Sequence, residues 1–209
     1  MEKKRYNISE CITFWKTTEE YGGLSNMAGG YIIYLFDSKI LTVEALYQAC
    51  RFPDYPEIQK SIISQRSPIT AKEVSRKYDK YTRSDWNEKR VAIMNWCIHI
   101  KLLYNWNKMG KLLSKTNKKE IIELSSKDDF WGAYLNGEYA EGYNILGKLL
   151  MQLREDYCNN IDKHYIYLKA PNIPNFKLYG KDLGDLRIDI TNNYNYNETY
   201  NLFDDYNIN

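Results

Sequence analysis

The chain has 209 residues, 44% hydrophobic and 15% aromatic, and this length and composition predict one domain with a sizeable core. Its net charge of +2 gives no strong case for a dedicated nucleic-acid-binding surface, although a local basic cleft stays open. The four cysteines form no C-x-x-C pair and there are only two histidines, so we expect reduced thiols and neither metal nor cofactor. No segment is long and apolar enough to cross a membrane, which together with the charged N-terminus predicts a cytoplasmic protein without a membrane partner.

The first forty residues favour short strands joined by turns. Thr13-Phe14-Trp15 is strand-like, and the glycines and polar residues of 22–26 predict a loop. Residues 31–36 predict a strand, Asp37-Ser38 a turn, and Ile40-Leu41 a returning strand. These three segments predict a β-hairpin that leads directly into the first helix.

Helices are predicted over much of the remaining chain. Thr42 is placed to cap a helix that contains Glu44 and stops at Pro53. A second helix is predicted at 56–65, and Ser67-Pro68 is typical of the start of a third. Asp85 and Glu88 have capping-box spacing, with Asp85 as the cap of the strongest helix. The apolar stripe predicted for that helix consists of Val91, Met94, Ile98 and Leu102.

The last predicted helix runs from Ile145 to about Tyr157, with Gly147 permitting close packing. After about residue 160 the composition changes, and 192–209 is dominated by Asn, Tyr and Asp, which predicts a low-complexity tail. We therefore expect an N-terminal arm at 1–12, a catalytic domain at 13–160, and a C-terminal extension with its tail at 161–209.

One candidate cluster for chemistry lies on the helix that begins after Thr42. At helical spacing Glu44, Tyr47, Gln48 and Arg51 share a face. Such a face can simply be solvated, and a glutamate in a first turn often does no more than stabilise the helix dipole. The same residues also suit a phosphorylated sugar, which needs a proton handler, hydroxyl contacts and a fixed cation.

A second cluster is Asp128-Asp129-Phe130-Trp131-Gly132, where adjacent acids precede an aromatic-glycine turn. Trp131 can stack on a flat base and Asp128 can hold ribose hydroxyls, or else a buried tryptophan anchors the loop while the acids face water. Two asparagines are ambiguous in the same way. Asn26 follows glycines that suit close approach to a ligand or an ordinary turn, and Asn144 is a site residue or the N-cap of the last helix.

Taken together, the ordered motifs resemble the NADAR family, also called YbiA-like N-glycosidases. The resemblance covers about residues 13–156, and its seven elements occur in the right order. These elements are Phe14-Trp15 with Tyr21-Gly22-x-Leu24-Ser25-Asn26; Glu44-Ala45-Leu46-Tyr47-Gln48-Ala49; Arg51-Phe52; Arg83-Ser84-Asp85-Trp86; Lys101-Leu102-Leu103; Asp128-Asp129-Phe130-Trp131-Gly132; and Asn144-x-Leu146-Gly147-x-Leu149-Leu150-Met151-x-Leu153-Arg154.

The resemblance implies a mainly α, α+β single domain, with an array of helices and a small N-terminal β-sheet. It also implies metal-independent hydrolysis of an N-glycosidic bond in the phosphoribosylamino-pyrimidine intermediates of riboflavin synthesis. By matching motifs, Glu44 is the functional glutamate and Asp128 the second catalytic acid. Substrate binding falls to seven residues: Trp86, Trp131, Asn26, Tyr47, Gln48, Arg51 and Asn144.

Two positions depart from the family pattern. Many members carry a lysine where this chain has Arg51, and an arginine cannot act as an amine nucleophile because it stays protonated. Many members also carry an acid where this chain has Ala133, so that Asp128, Asp129 or Glu141 would have to replace it.

Two alternatives remain open. One is removal of ADP-ribose from guanine in a nucleic acid, which a basic rim near Glu44 would favour. The other is a non-catalytic binder of nucleotides or ADP-ribose. The candidate residues for that basic rim are Lys72, Arg76, Lys77, Lys80 and Arg83.

Overall fold

The computed structural model describes residues 2–190, which form two compact units. The first unit consists of 2–28 and 106–161, and the second of 29–105 and 162–190. Each unit is therefore built from two stretches that are distant in sequence. The predicted tail at 192–209 lies outside the described residues.

Helices outweigh strands in the described part of the chain, and the predicted α+β, mainly α class is confirmed. The α-helices are α1 (Val43–Ala49), α2 (Pro56–Ile63), α3 (Pro68–Lys77), α4 (Trp86–Tyr104), α5 (Trp106–Lys115) and α6 (Ile145–Cys158). The strands are β1 (Lys4–Asn7), β2 (Ile12–Phe14), β3 (Ile33–Leu35), β4 (Ser38–Ile40), β5 (Ile121–Ser125), β6 (Ala133–Asn136), β7 (Tyr139–Gly142), β8 (Tyr165–Leu168), β9 (Lys177–Leu178), β10 (Lys181–Asp182) and β11 (Leu186–Asp189). Among the described residues, no helix has the combination of length and apolar character that a membrane span requires.

The first unit contains a five-stranded mixed sheet in the order β1-β7-β6-β5-β2. β1 and β6 both pair antiparallel with β7, whereas β5 pairs parallel with β2 and β6. The sheet is therefore not confined to the N-terminus, because three of its strands come from 121–142. Residues 4–7, which the sequence placed in an N-terminal arm, form the edge strand β1 and bury Tyr6.

Helix α6 belongs to the same unit and confirms the predicted amphipathic helix. A Cβ on Gly147 would collide with the carbonyl oxygen of Ile121 in β5, so only glycine allows this approach of helix to sheet. Leu146, Leu150 and Leu153 are fully buried on the apolar face of the helix.

The second unit begins with the predicted hairpin, whose turn lies one residue earlier than expected. Ser38 already pairs with Leu35 in the ladder, and Phe36 and Asp37 form the turn with φ values of 47° and 60°. Two consecutive positive φ angles match the right-handed twist of a two-residue hairpin. A phenylalanine rarely takes such a φ, so the sequence carried no strong signal for this turn.

The helix starts in this unit agree with the sequence in two cases and differ in one. The side-chain oxygens of Thr42 and Ser67 accept hydrogen bonds from backbone N–H groups in α1 and α3, as predicted. Asp85 makes no capping bond to α4, so the predicted capping box is wrong. Its carboxylate instead accepts two hydrogen bonds from Arg83, at 2.5 and 3.0 Å, because a guanidinium fork competes effectively with a backbone N–H.

The core stripe of α4 is confirmed at Met94, Ile98 and Leu102, while Val91 is only partly buried. The four cysteines, all among the described residues, are free thiols. Cys50 and Cys97 are buried as expected, but Cys158 is exposed.

The C-terminal extension is integrated into this unit up to residue 190. The side-chain amide of Gln59 donates to the carbonyl oxygen of Lys177 at 2.9 Å and accepts from the N–H of Tyr179 at 2.6 Å. Phe176 meets the ring of Trp96 edge-on, with 5.0 Å between centroids. These contacts connect the extension to α2 and α4.

Candidate active site

Glu44 lies in the first turn of α1 and is only 5% exposed. All seven residues of this helix are buried, so the alternative of a solvated polar face is wrong. The capped, positive end of the helix dipole favours a negative charge at this position. A buried carboxylate nevertheless requires a hydrogen bond, which a side chain of the same unit supplies.

Gln48 is the direct partner of Glu44. Its Nε2 donates to Oε1 of Glu44 at 2.9 Å, one turn back along α1. Its Oε1 accepts two hydrogen bonds, from the Ser75 hydroxyl at 2.6 Å and from the Arg51 guanidinium at 3.1 Å. Because these bonds hold the amide at both ends, Gln48 positions Glu44 rather than offering an open hydrogen-bonding surface.

Arg51 is engaged by internal acceptors, although the sequence predicted a phosphate-binding cation. Its guanidinium donates to Asp79 at 2.7 Å and to the Thr82 hydroxyl at 2.9 Å, in addition to Gln48 and Ser75. The Arg51 side chain is 14% exposed and already ion-paired with Asp79. The structure thus makes Arg51 a tie between α1, α3 and the turn that follows α3.

Lys72 is a second cation beside Glu44. Its Nζ lies 3.9 Å from Oε1 of Glu44, beyond hydrogen-bonding distance, and its side chain is 44% exposed. Arg76, Lys77 and Lys80 are exposed on α3 and the turn after it, whereas Arg83 is bound to Asp85.

An aromatic pair stands next to the Glu44 helix. The rings of Tyr47 and Trp86 are tilted against each other with 4.9 Å between centroids, and Tyr47 is buried. Burial, together with the nearby negative charge of Glu44, raises the pKa of Tyr47 above its ordinary value. The phenol therefore stays protonated at neutral pH, and Trp86, at the start of α4, is only partly buried.

The other predicted site residues lie in the first unit, where Asp128 organises its own loop. Its Oδ1 accepts hydrogen bonds from the backbone N–H groups of Phe130 and Trp131, each at 2.9 Å. The neighbouring Asp129 forms an ion pair with Lys3 at 2.7 Å. Asp128 thus has partners within its own loop, as expected of an aspartate in a turn, whereas Asp129 is paired with a residue near the N-terminus.

Trp131 is partly buried and meets Phe130 edge-on, with 5.2 Å between the ring centroids. Asn26 is 7% exposed and follows a 3-10 turn at Gly22–Leu24. A Cβ on Gly22 would collide with the backbone of Lys16 and Thr17, which explains the glycine at that point of the loop.

Asn144 is fully buried and serves the fold. It occupies the N-cap position of α6, as the sequence allowed, but it adopts a left-handed conformation with φ of 48° and its side chain makes no capping bond. Its Nδ2 donates to Ile121 at 2.8 Å and its Oδ1 accepts from the N–H of Glu123 at 3.2 Å. The side chain thus joins the helix start to β5, which argues against direct contact with a substrate.

The Ala133 departure has a packing explanation. Ala133 is fully buried in a small cluster with Tyr6, Ile122 and Ala140. An acidic side chain on this face of the sheet would have to enter that apolar cluster. Glu141, one of the proposed replacements, is exposed on β7.

The sequence analysis did not assign roles to several residues of the second unit that the structure connects to Glu44. Ser75, Asp79 and Thr82 complete the hydrogen-bond network around Arg51, yet each looks like an ordinary polar residue of a helix end.

Lys101 is 1% exposed, with Nζ 4.2 Å from the Tyr31 ring centroid. A lysine among the apolar residues of a long predicted helix was the sequence signal for a buried cation.

The structure therefore groups the predicted residues into two sets. Glu44, Tyr47, Gln48, Arg51 and Trp86 lie in the second unit, and the remaining four lie in the first. A groove of about 600 Å³ in the first unit contains none of the predicted residues and is lined by Lys4, Arg5, Glu10, Lys118, Glu120 and Tyr139, among others.

Comparison with known proteins identifies the family. Residues 13–157 match the model of the NADAR domain. A riboflavin biosynthesis protein of Vibrio vulnificus is 30% identical over 84% of this chain, which spans only 48% of that longer protein. A protein of Nostoc punctiforme named as an N-glycosidase is 32% identical, with 75% of this chain and 98% of the relative covered.

A solved structure supports the same assignment. The solution structure of YbiA from Escherichia coli superposes with a TM-score of 0.63 at 28% identity, covering 74% of this chain and 89% of YbiA. The family match, the relative covered almost throughout and the shared fold lead to one conclusion: the chain belongs to the NADAR domain family.

Proposed function

We propose that this protein is a hydrolase of N-glycosyl bonds that acts on phosphoribosylamino-pyrimidine intermediates of riboflavin biosynthesis and releases ribose 5-phosphate. The observation that carries the proposal is the buried Glu44, held by Gln48 at the capped start of α1. Relatives named N-glycosidase and riboflavin biosynthesis protein support the reaction class and the substrate class.

The chemistry follows from the position of Glu44. As the C1′–N bond breaks, its electron pair leaves with the nitrogen and positive charge develops on the ribose ring. A carboxylate close to C1′ stabilises that charge, as in other glycoside hydrolases. A water oxygen then bonds to C1′ while Glu44 accepts the water proton, and the leaving nitrogen takes up a proton from solvent; Glu44 afterwards releases its proton to solvent, so the sum is addition of one water.

The residues around Glu44 have two roles in this proposal, to orient the carboxylate and to contact the substrate. Gln48, Ser75 and Arg51 fix the orientation of the carboxylate, which lowers the reorganisation needed at the transition state. The partly buried Trp86 is assigned to the leaving base, since an indole face stacks well on a flat heterocycle. Trp131 and Asn26 stay predicted substrate contacts, and Asp128 stays the predicted second catalytic acid, with its Oδ1 already used by its own loop.

The test is a ribose 5-phosphate release assay on the purified protein with the riboflavin intermediates, in the presence of EDTA. We expect turnover by the wild type and a loss of about 10²–10⁴-fold in Glu44→Gln, which removes a general base. The matched control is Glu57→Gln, an exposed glutamate on α2 that forms an ion pair with Lys60. Loss of activity in EDTA would reject a metal-independent reaction, and full activity of Glu44→Gln would reject the role of Glu44.

A second candidate function is removal of ADP-ribose from guanine in nucleic acid. The exposed Arg76, Lys77 and Lys80, with Lys72 beside Glu44, form part of the basic rim that this function would use. Running the same assay in parallel on an ADP-ribosylated oligonucleotide decides between the two substrates. ADP-ribose binding without turnover of either substrate would instead indicate a non-catalytic binder.

A further inference from the structure

Three cations of the second unit differ in their hydrogen bonds to acidic residues, and this difference indicates which cation is placed to bind a substrate. Arg51 and Arg83 each form hydrogen bonds to an aspartate at 2.7 and 2.5 Å. Lys72 is different, because its ammonium lies 3.9 Å from Glu44 and its side chain is 44% exposed. The chain thus retains a cation next to its key carboxylate without binding it closely.

Arg76 extends this feature along α3. It follows Lys72 by one helical turn, so the two side chains project from the same face of the helix, and Arg76 is exposed. The two positive charges are therefore neighbours, and the one acidic residue between them, Glu73, is exposed on the adjoining part of the helix. Such a pair of cations matches an anion with more than one negative charge.

The position of Lys72 relative to Glu44 is set by the Arg51 network. Ser75, between Lys72 and Arg76 on α3, donates to Gln48, which in turn holds Glu44. Arg51 binds the same Ser75 hydroxyl and also Asp79 just after α3. Helix α3 is consequently fixed against α1, and Lys72 lies beside the carboxylate at a defined place.

We propose that Lys72, assisted by Arg76, binds the phosphate group of a phosphorylated ribose while Glu44 acts at its anomeric carbon. This inference rests on the proposed function and assigns the phosphate to α3 instead of to Arg51. A phosphate monoester carries about −1.5 to −2 charges at neutral pH and accepts several hydrogen bonds, as a lysine–arginine pair requires. The flexible four-carbon stem of Lys72 lets its ammonium turn from Glu44 to the phosphate.

Binding of ribose 5-phosphate and of ribose, measured calorimetrically on the full chain, tests the assignment without requiring turnover. We expect the wild type to prefer ribose 5-phosphate, and Lys72→Met to bind it about tenfold more weakly, since a charge-assisted hydrogen bond is lost. Arg76→Gln should show a smaller loss of about threefold, in line with weaker, more exposed pairing. Lys60→Met, which removes an exposed cation on α2, is the control and should bind like the wild type.

The hydrolysis assay gives a second readout that separates the two proposals. Lys72→Met should raise KM for the phosphorylated substrate about tenfold and change KM for its dephosphorylated counterpart much less. Equal binding of ribose 5-phosphate by Lys72→Met and wild type, or no preference of the wild type for it over ribose, overturns the phosphate assignment. If the wild type binds ribose 5-phosphate through Lys72 but hydrolyses no substrate, the phosphate site stands and the proposed reaction fails.

Discussion

Two acidic residues that the sequence assigns to catalysis, Glu44 and Asp128, are held in different ways by this protein. Glu44 is held by another side chain, the Gln48 amide, which is itself fixed by Ser75 and Arg51. Asp128 is held by the backbone of its own loop, through the N–H groups of Phe130 and Trp131. Because the partners differ in this way, we expect substitutions at Glu44 to change mainly activity and substitutions at Asp128 to change mainly stability.

The largest expected effect is on the activity of the Glu44 region. Glu44→Gln retains an oxygen that can accept from Gln48, so the free energy of unfolding should change by less than about 1 kcal/mol. We expect kcat to fall by about 10²–10⁴-fold, because the amide can neither accept a proton nor stabilise positive charge. Urea unfolding and turnover of the same variant check the two expectations. A large loss of stability in Glu44→Gln would show that Glu44, like Asp128, contributes mainly to the fold.

The Arg51 departure from the family pattern gives the next largest effect. Arg51→Lys cannot donate simultaneously to Gln48, Ser75, Asp79 and Thr82, since an ammonium lacks the fork geometry of a guanidinium. We expect about 2 kcal/mol lower unfolding free energy and a kcat about tenfold lower, because Gln48 loses one of its restraints. A fully active, equally stable Arg51→Lys protein would show that the network does not position Glu44.

The Asp128 loop should respond mainly in stability. Asp128→Ala leaves two N–H groups without their acceptor and should lower the free energy of unfolding by about 1–2 kcal/mol. Asp128→Asn retains an acceptor oxygen and should restore most of that loss, which thermal unfolding of the two variants measures. If instead Asp128→Asn is stable but inactive, Asp128 belongs with Glu44 as a reacting acid, as the sequence predicted.

The smallest effect concerns a third acid, Asp85. Hydrogen bonds from Arg83 hold the pKa of Asp85 below its ordinary value in the folded protein. A lowered folded-state pKa stabilises the protein above the unfolded pKa, and this contribution is lost as the pH falls through the folded value. In urea titrations from pH 6 to about pH 3, we therefore expect a smaller loss of stability for Asp85→Asn than for the wild type. Parallel pH profiles of the two proteins would contradict this ion-pair contribution.

The helices were largely predictable, because their signals are local. Thr42 and Ser67 mark helix starts by accepting hydrogen bonds from residues three and two positions on, and Pro68 marks one because its fixed φ suits the first helical position. The same reasoning failed at Asp85, where Arg83 offers a charged partner that competes with the helix backbone. The five-stranded sheet was only partly predicted. Its strands are short, and they come from two regions, 4–14 and 121–142, that are far apart in the sequence.

For the candidate site, residue types and their order were sufficient to select Glu44, Trp86, Asp128 and Trp131 and to predict the family that the comparisons show. Only the tertiary structure decided what each side chain touches, since Arg51 meets Asp79 and Thr82 about thirty positions away, and Asn144 meets β5 across more than twenty. The strength of a hydrogen bond changes when the donor–acceptor distance changes by a few tenths of an ångström. The packing of α1 against α3 and of α6 against β5 sets those distances. That packing turned a predicted phosphate-binding arginine into a structural tie and left Lys72 beside the buried carboxylate.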